Sequence, residues 1–217
     1  MECIAYIAGE RHSDHPACAC PVLTELVIFA NDGFPQQTAA GLREQVLRLA
    51  GSRADAAVTR ARTYYLLDYF LRDYLPRALP HPCLGRPHLA DALALALAHL
   101  PEISDAASAR NAQAVFDLLG PTRYFEKLFY AAERALSKVE QNEFDKSARY
   151  IVSAMAFVER EGAFRGVQAS AGNPPLPGNV ASIDVLGLID QLLAIGEAPP
   201  LEVTRTVQRR INLLTGR

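Results

Sequence analysis

The segment "ARTYYLLDYFLRDYL", residues 61–75, decides the fold that this sequence predicts. It belongs to a run from 53 to 75 with helical spacing, which Pro76 is expected to end because a proline interrupts the helical hydrogen bonds. Projected at about 100° per residue, its apolar and aromatic side chains cover almost the whole circumference of the helix. A helix that is apolar on all sides is normally surrounded by others. The sequence therefore predicts a central Tyr-rich helix at 53–75.

The other periodic segments also repeat at helical spacing, and none alternates strictly with β-branched enrichment as a strand would. The short first segment "ECIAYIA", residues 2–8, is interpreted as a helix. Proline, glycine and capping residues divide the chain into about eight to ten helices. We therefore expect an all-α fold, an irregular multi-helix bundle around the 53–75 helix with no significant sheet.

Capping residues predict where two of these helices begin. Thr38 is the expected N-cap of the helix that Gly51 ends. Ser52 with Asp55 resembles a capping box for the central helix, the shorter Asp standing in for the usual Glu.

A break in spacing marks the segment "EQNEFD", residues 140–145. The apolar stripes on its two sides are separated by a step of five, from Val139 to Phe144. Either the chain turns back here as a helical hairpin, or one long helix passes through a rotated register. The hairpin is the favoured interpretation.

Residues 162–180, "GAFRGVQASAGNPPLPGNV", suggest the only linker in the sequence. Four Gly and three Pro with no periodicity predict a flexible Gly/Pro-rich loop. The expected organisation is a main helical domain at 1–161, this loop, and a C-terminal helical pair at 181–217. That pair is expected to pack on the main domain or on a partner.

Composition excludes several classes of protein. With 22 Lys and Arg against 24 Asp and Glu, the net charge of −2 makes nucleic acid an unexpected partner. No segment reaches the roughly 18 apolar residues of a membrane span, and the start has no signal-peptide pattern. Four cysteines in 217 residues are too few for a secreted disulfide scaffold. We expect a cytoplasmic protein, and the abundant Arg, Ala and Leu are typical of a bacterial one.

The strip "RHSDHPACAC", residues 11–20, concentrates side chains that bind metals. Zinc takes four nitrogen or sulfur ligands in a tetrahedron. The candidate ligands are His12, His15, Cys18 and Cys20. Their spacing is tighter than in the common zinc modules, so a plugged turn without metal is the alternative.

A zinc site could also be composite, with ligands from two parts of the chain. Cys83 follows His81 in "HPC", and His88 comes shortly after. Cys83 with one of these histidines would complete a site with the two cysteines of the strip.

The same strip suggests thiol chemistry. Cys18 lies near His15 and just before a helix whose positive N-terminal end would lower the pKa of a thiol. A nucleophile or redox sensor at Cys18 is therefore a hypothesis, although no C-x-x-C or protease-type signature accompanies it.

The central helix carries charged side chains that need partners. Asp68 and Arg72 are four residues apart, so they face each other across one turn. The simpler interpretation is an internal structural ion pair. The alternative is a pocket, formed with Arg62 and nearby tyrosines, that binds a small anionic ligand.

No motif of a common reaction is present: the sequence has no P-loop, no dinucleotide fingerprint, no H-E-x-x-H and no G-x-S-x-G. An enzyme is therefore less expected than a helical protein–protein interaction or oligomerisation module. The apolar segments 89–100 and 183–195 favour that module, because they leave patches unless covered.

A basic face at Arg205, Arg209 and Arg210 is interpreted as solvated surface. The alternatives are a metal- or thiol-dependent enzyme using the 11–20 strip and a sensor of small anions.

Overall fold

The computed structural model of this chain describes residues 1–33, 35–78, 87–119, 126–169, 183–196 and 201–215. Within these ranges the regular secondary structure is entirely helical, which confirms the all-α prediction. The helices are α1 (Glu2–Ala8), α2 (Pro21–Gly33), α3 (Pro35–Ala50), α4 (Ala56–Asp68), a π-helix (Tyr69–Tyr74), α5 (Leu75–Ala78), α6 (Pro87–Ala98), α7 (Ala106–Leu119), α8 (Glu126–Glu140), α9 (Phe144–Ala169), α10 (Val185–Ala194) and α11 (Arg205–Thr215). None of the helices in these ranges is both long and apolar enough to span a membrane.

Contacts group the chain into two compact units. The first comprises Met1–Arg62 and Asp184–Arg217, and the second comprises Thr63–Ile183. The expected domain division at 161 and 181 stays a prediction. The C-terminal helices belong with the start of the chain because α10 packs on α2 and α3, and α11 packs on α1.

The first unit buries the apolar faces of α2 and α10. Pro21 opens α2, where a missing N–H costs nothing, and the Asp184 carboxylate caps α10 by accepting from the Gly187 N–H at 2.9 Å. The buried residues of α10 are Val185, Leu188, Ile189, Leu192 and Leu193. Each such side chain contributes about 1.5–3 kcal/mol when removed from water. The expected apolar patch at 183–195 is thus covered by the first unit.

The second unit contains the predicted hairpin, which α8 and α9 form by packing against each other. The turn places Asn142 at φ 59°, a left-handed conformation that asparagine tolerates. The Asn142 N–H donates to the Val139 carbonyl at 3.0 Å, and the Glu143 N–H to the Lys138 carbonyl at 2.9 Å. These bonds satisfy carbonyls that α8 leaves free at its end, and the hairpin prediction is confirmed.

The predicted 53–75 helix is a continuous helical path from Ala56 to Ala78. Pro76 does not end it, contrary to expectation. In the preceding π-helix the hydrogen bonds span five residues, and the Leu75 N–H donates to the Phe70 carbonyl. The α-helical pattern is therefore already interrupted where the proline enters, so its missing N–H breaks no regular α-helical bond.

Burial along this path is uneven. From Arg62 to Leu75 only Asp73 is exposed, whereas Ala56–Ala61 is exposed or half-buried. The fully buried large side chains from 62 to 75 are Arg62, Leu66, Leu67, Phe70, Leu71, Tyr74 and Leu75. The predicted enclosure on all sides therefore holds for most positions between Arg62 and Leu75, and it is wrong for Ala56–Ala61.

Two capping predictions are wrong. Helix α3 begins at Pro35, which suits a first turn, and Thr38 lies inside it with its hydroxyl donating to the Ala30 carbonyl at 3.0 Å. Asp55, not Ser52, caps α4, because its carboxylate accepts from the Val58 N–H at 2.9 Å.

The Gly/Pro-rich segment also begins later than expected. Helix α9 continues to Ala169 through Gly162 and Gly166. A single glycine costs a helix only about 1 kcal/mol, whereas the first helix-breaking proline comes at Pro174. The expected loop at 162–169 is therefore helical, and 170–182 lies outside the described residues.

Candidate functional site

The histidines of the 11–20 strip are paired with carboxylates. His12 Nε2 lies 2.7 Å from Glu2 Oε1, and His15 Nε2 lies 3.3 Å from Glu25 Oε1. In the part of the chain that the structure describes, no three His, Cys, Asp or Glu side chains are close enough to hold a metal ion. The four candidate zinc ligands are thus not assembled into a site there.

The composite zinc site cannot be placed. Cys83 and His81 lie outside the described residues, and so does the side chain of His88. That hypothesis stays a prediction.

Hydrogen bonds attach the end of the strip to the segment between α3 and α4. The buried Cys20 N–H donates to Ser52 Oγ at 2.9 Å, and Ser52 Oγ donates to the Leu49 carbonyl at 2.7 Å. The Arg53 N–H donates to the Cys18 carbonyl at 3.0 Å. Its guanidinium donates to the Ala17 carbonyl at 2.6 Å. These hydrogen bonds hold residues 17–20 in a fixed turn, which we call braced.

The pKa of the Cys18 thiol is raised, whereas the thiol hypothesis expects it to be lowered. Burial raises its pKa to about 11, with further contributions from the charge of Glu10 and a hydrogen bond to Glu10. The positive end of the nearby helix was expected to lower this pKa, but burial and Glu10 raise it. At neutral pH the group is a protonated thiol, which is a weak nucleophile.

Arg62 is buried and its donors are used by backbone carbonyls. Its Nε lies 2.9 Å from the Leu192 carbonyl oxygen and 3.2 Å from that of Ile195, and its Nη1 lies 2.6 Å from that of Ser52. Carbonyls at a helix end carry partial negative charge. Arg62 therefore acts as a cap that ties the end of α10 to the start of the central path within the first unit.

Asp68 and Arg72 form the predicted ion pair. Arg72 Nη1 lies 3.0 and 3.1 Å from the two carboxylate oxygens of Asp68, and both side chains are half-buried. Asp68 Oδ1 also accepts from the Ile103 N–H at 2.8 Å. The carboxylate thus fixes the segment before α7, which supports the structural interpretation over the anion pocket. Nε and Nη1 of Arg62 donate to the backbone carbonyls described above and so contribute to a different contact.

Sequence reasoning missed a pair in the second unit, the buried Tyr74 and the half-buried Glu159. The Tyr74 hydroxyl lies 3.2 Å from Glu159 Oε1 and 3.3 Å from the Met155 carbonyl oxygen. Burial raises the pKa of both groups, and the Glu159 charge raises that of Tyr74 further. A buried tyrosine usually has a hydrogen-bond partner, so the expected burial of Tyr74 could have predicted that a partner exists. Nothing in the spacing identifies Glu159 as the partner.

Helix α11 presents an open, solvent-facing surface. Its outer face is lined by Arg205, Gln208, Arg209, Asn212 and Leu213. Leu213 is 65% exposed. On the inner side Val207 is buried, and Arg210 Nη1 lies 3.1 Å from the Ile7 carbonyl oxygen of α1. These two contacts anchor the inner side of the helix on α1.

A polar groove runs between α7 and α8 in the second unit. This α7–α8 groove is lined by Gln113, Asp117, Tyr130, Glu133, Arg134, Ser137 and Glu140. Tyr130 is 50% exposed, and the Arg134 guanidinium lies 5.0 Å from the centre of its ring. Carboxylates outnumber cations here, so the groove is acidic.

Comparison of the chain with protein-family models, with curated proteins and with solved structures finds no match in any of the three. Any functional proposal must therefore come from the residues described above.

Proposed function

We propose that this chain is a helical interaction module that associates with further copies of itself through the outer face of α11. The observation that carries the proposal is the concentration of exposed apolar side chains near the end of the described chain. The large hydrophobic residues exposed in the described ranges are Tyr6, Leu95, Tyr130, Val203, Leu213 and Leu214. Half of them lie between 203 and 214.

Single exposed apolar residues are common on soluble proteins, but here three of them fall within twelve residues of sequence, at Val203, Leu213 and Leu214. Leu213 lies on the outer face of α11 with Arg205 and Arg209. Arginine around an apolar centre is a composition that interfaces favour.

The enzyme and sensor alternatives have less support. Cys18 has a raised pKa, and the strip's histidines are paired with carboxylates. Arg62, which the anion pocket requires, donates to backbone carbonyls. A cytoplasmic location accords with the free thiols of Cys3, Cys18 and Cys20, which a reducing compartment preserves.

Self-association is tested by light scattering and sedimentation on the full chain, from micromolar to about 1 mM. We expect the wild-type mass to rise with concentration and Leu213→Asp to remain monomeric. Leu95→Asp is the matched control, because Leu95 is 63% exposed against 65% for Leu213 but lies on α6. A wild-type monomer throughout overturns the proposal, since about 1 mM reaches contacts as weak as about −4 kcal/mol.

A further inference from the structure

We infer that the surface receiving the outer face of α11 is the α7–α8 groove of a second copy, so that copies join head to tail. This inference rests on the proposed self-association and adds the identity of the receiving surface. The first surface belongs to the first unit and the second to the second unit, so every copy carries one of each.

The two surfaces have opposite charge. The outer face of α11 carries Arg205 and Arg209, both exposed. The groove carries three carboxylates and one guanidinium: Asp117, Glu133, Glu140 and Arg134. Guanidinium groups bind carboxylates through paired hydrogen bonds, and such pairs set specificity and register at interfaces.

The spacing of the groups also matches. On α11, Arg209 lies about 6 Å and Arg205 about 12 Å along the axis from Leu213. On α8, Glu133 lies about 4.5 Å and Glu140 about 15 Å from Tyr130. With the helices antiparallel, Leu213 meets Tyr130 while Arg209 and Arg205 reach the two glutamates. The remaining offsets, about 1.5 and 3 Å, are small beside a long arginine side chain.

Tyr130 provides the apolar contact. Its ring is half exposed and makes an edge contact with Tyr150, 6.3 Å between ring centroids. Arg134 also lies against this ring. A tyrosine held by its neighbours loses little conformational freedom on binding, which is why tyrosines often anchor interfaces.

A contact between two different surfaces is heterologous. Two copies that exchange this contact reciprocally close as a dimer, and otherwise copies add until a larger ring closes or a filament grows. A contact of α11 with α11 also stops at a dimer, but it does not involve the groove. The two arrangements therefore differ in their response to substitutions in the groove.

Charge reversal tests the pairing. The face variant is Arg205→Glu with Arg209→Glu, and the groove variant is Glu133→Arg with Glu140→Arg. Each variant alone opposes like charges, so we expect loss of association in light scattering. Mixed in equal amounts, the two variants regain it, because the Arg face of one now meets the Glu groove of the other. The chain carrying all four substitutions also regains it alone.

The control has the same net charge as the groove variant but changes exposed glutamates elsewhere, Glu44→Arg with Glu102→Arg. It should associate like the wild type, and mixing it with the face variant should give no larger assembly than the control alone. Circular dichroism confirms that each variant is folded. If the wild type associates and Leu213→Asp abolishes this, but the groove variant behaves as wild type, the inference is wrong while the proposed function stands. If the wild type is monomeric, the proposed function itself fails.

Discussion

The 11–20 strip and the central path from Arg62 to Leu75 contrast in where their polar groups lie. The strip contains the residue types that chemistry uses, yet its histidines pair with carboxylates near the surface and its backbone is braced by Ser52 and Arg53. The central path appears apolar in sequence, yet it buries a guanidinium at Arg62 and a phenol at Tyr74. The difference shows that burial, rather than residue type, decides which polar groups matter to this fold.

The largest expected effect is at Arg62, in the first unit. Arg62→Met keeps much of the side-chain volume but leaves the carbonyls of Ser52, Leu192 and Ile195 without their donor. A buried polar group left without its partner costs about 1–3 kcal/mol, and here three acceptors share the lost donor. Urea unfolding should show a loss of this size, and the exposed Arg43→Met is the control. Equal stability of the two variants would show that Arg62 is not the cap described here.

Ser52→Ala should have the next largest effect, because it leaves the buried Cys20 N–H without an acceptor. An unsatisfied buried donor costs about 1–3 kcal/mol. Ser13→Ala is the control within the strip, since Ser13 accepts from the His15 N–H at an exposed position. A smaller loss at Ser52 than at Ser13 would contradict the brace.

Glu159 predicts a pH dependence. Because burial raises its folded pKa above the usual 4.5, the folded chain binds the proton more tightly than the unfolded chain does. This contribution to stability is fully present below pH 4.5 and is lost as the pH rises through the folded pKa. Glu159→Gln stays neutral, so its stability relative to the wild type should increase across that window. Unfolding free energies measured at several pH values check this, and a difference independent of pH would refute it.

The smallest expected effect is at His12. Its side chain is 76% exposed and its pairing with Glu2 is a surface contact. Such pairs contribute at most about 1 kcal/mol, and surface substitutions usually change stability by less than about 0.5 kcal/mol. Thermal melting of His12→Ala should therefore match the wild type. A marked loss that excess zinc restores would instead favour the metal hypothesis.

Two local signals in the sequence predicted local structure correctly, whereas the capping residues and Pro76 did not. The five-residue step between Val139 and Phe144 identified the α8–α9 hairpin, and Asp68 with Arg72 identified a true ion pair. Pro76 misled because a π-helix precedes it, and residue spacing does not reveal a change from α to π hydrogen bonding.

The role of Arg62 was beyond sequence reasoning for a different reason. Its acceptors Leu192 and Ile195 lie 130 and 133 residues further along the chain. Every residue has a backbone carbonyl, so a sequence pattern cannot identify which carbonyls accept from Arg62. The arginines of the α11 face were identified in the sequence, but the exposed Leu213 beside them and the α7–α8 groove were missed, since exposure depends on what the fold covers.

The first unit is built from two separate segments of the chain, which the ribosome synthesises at different times. Thr63–Ile183 is one uninterrupted stretch, so the ribosome completes the second unit first. Met1–Arg62 emerges earlier but waits for Asp184–Arg217. The 130 residues between Arg62 and Leu192 take roughly 6–26 s to translate at about 5–20 residues per second. During this interval the nascent α2 lacks the helix that covers it, and there a chaperone would have its clearest opportunity to bind.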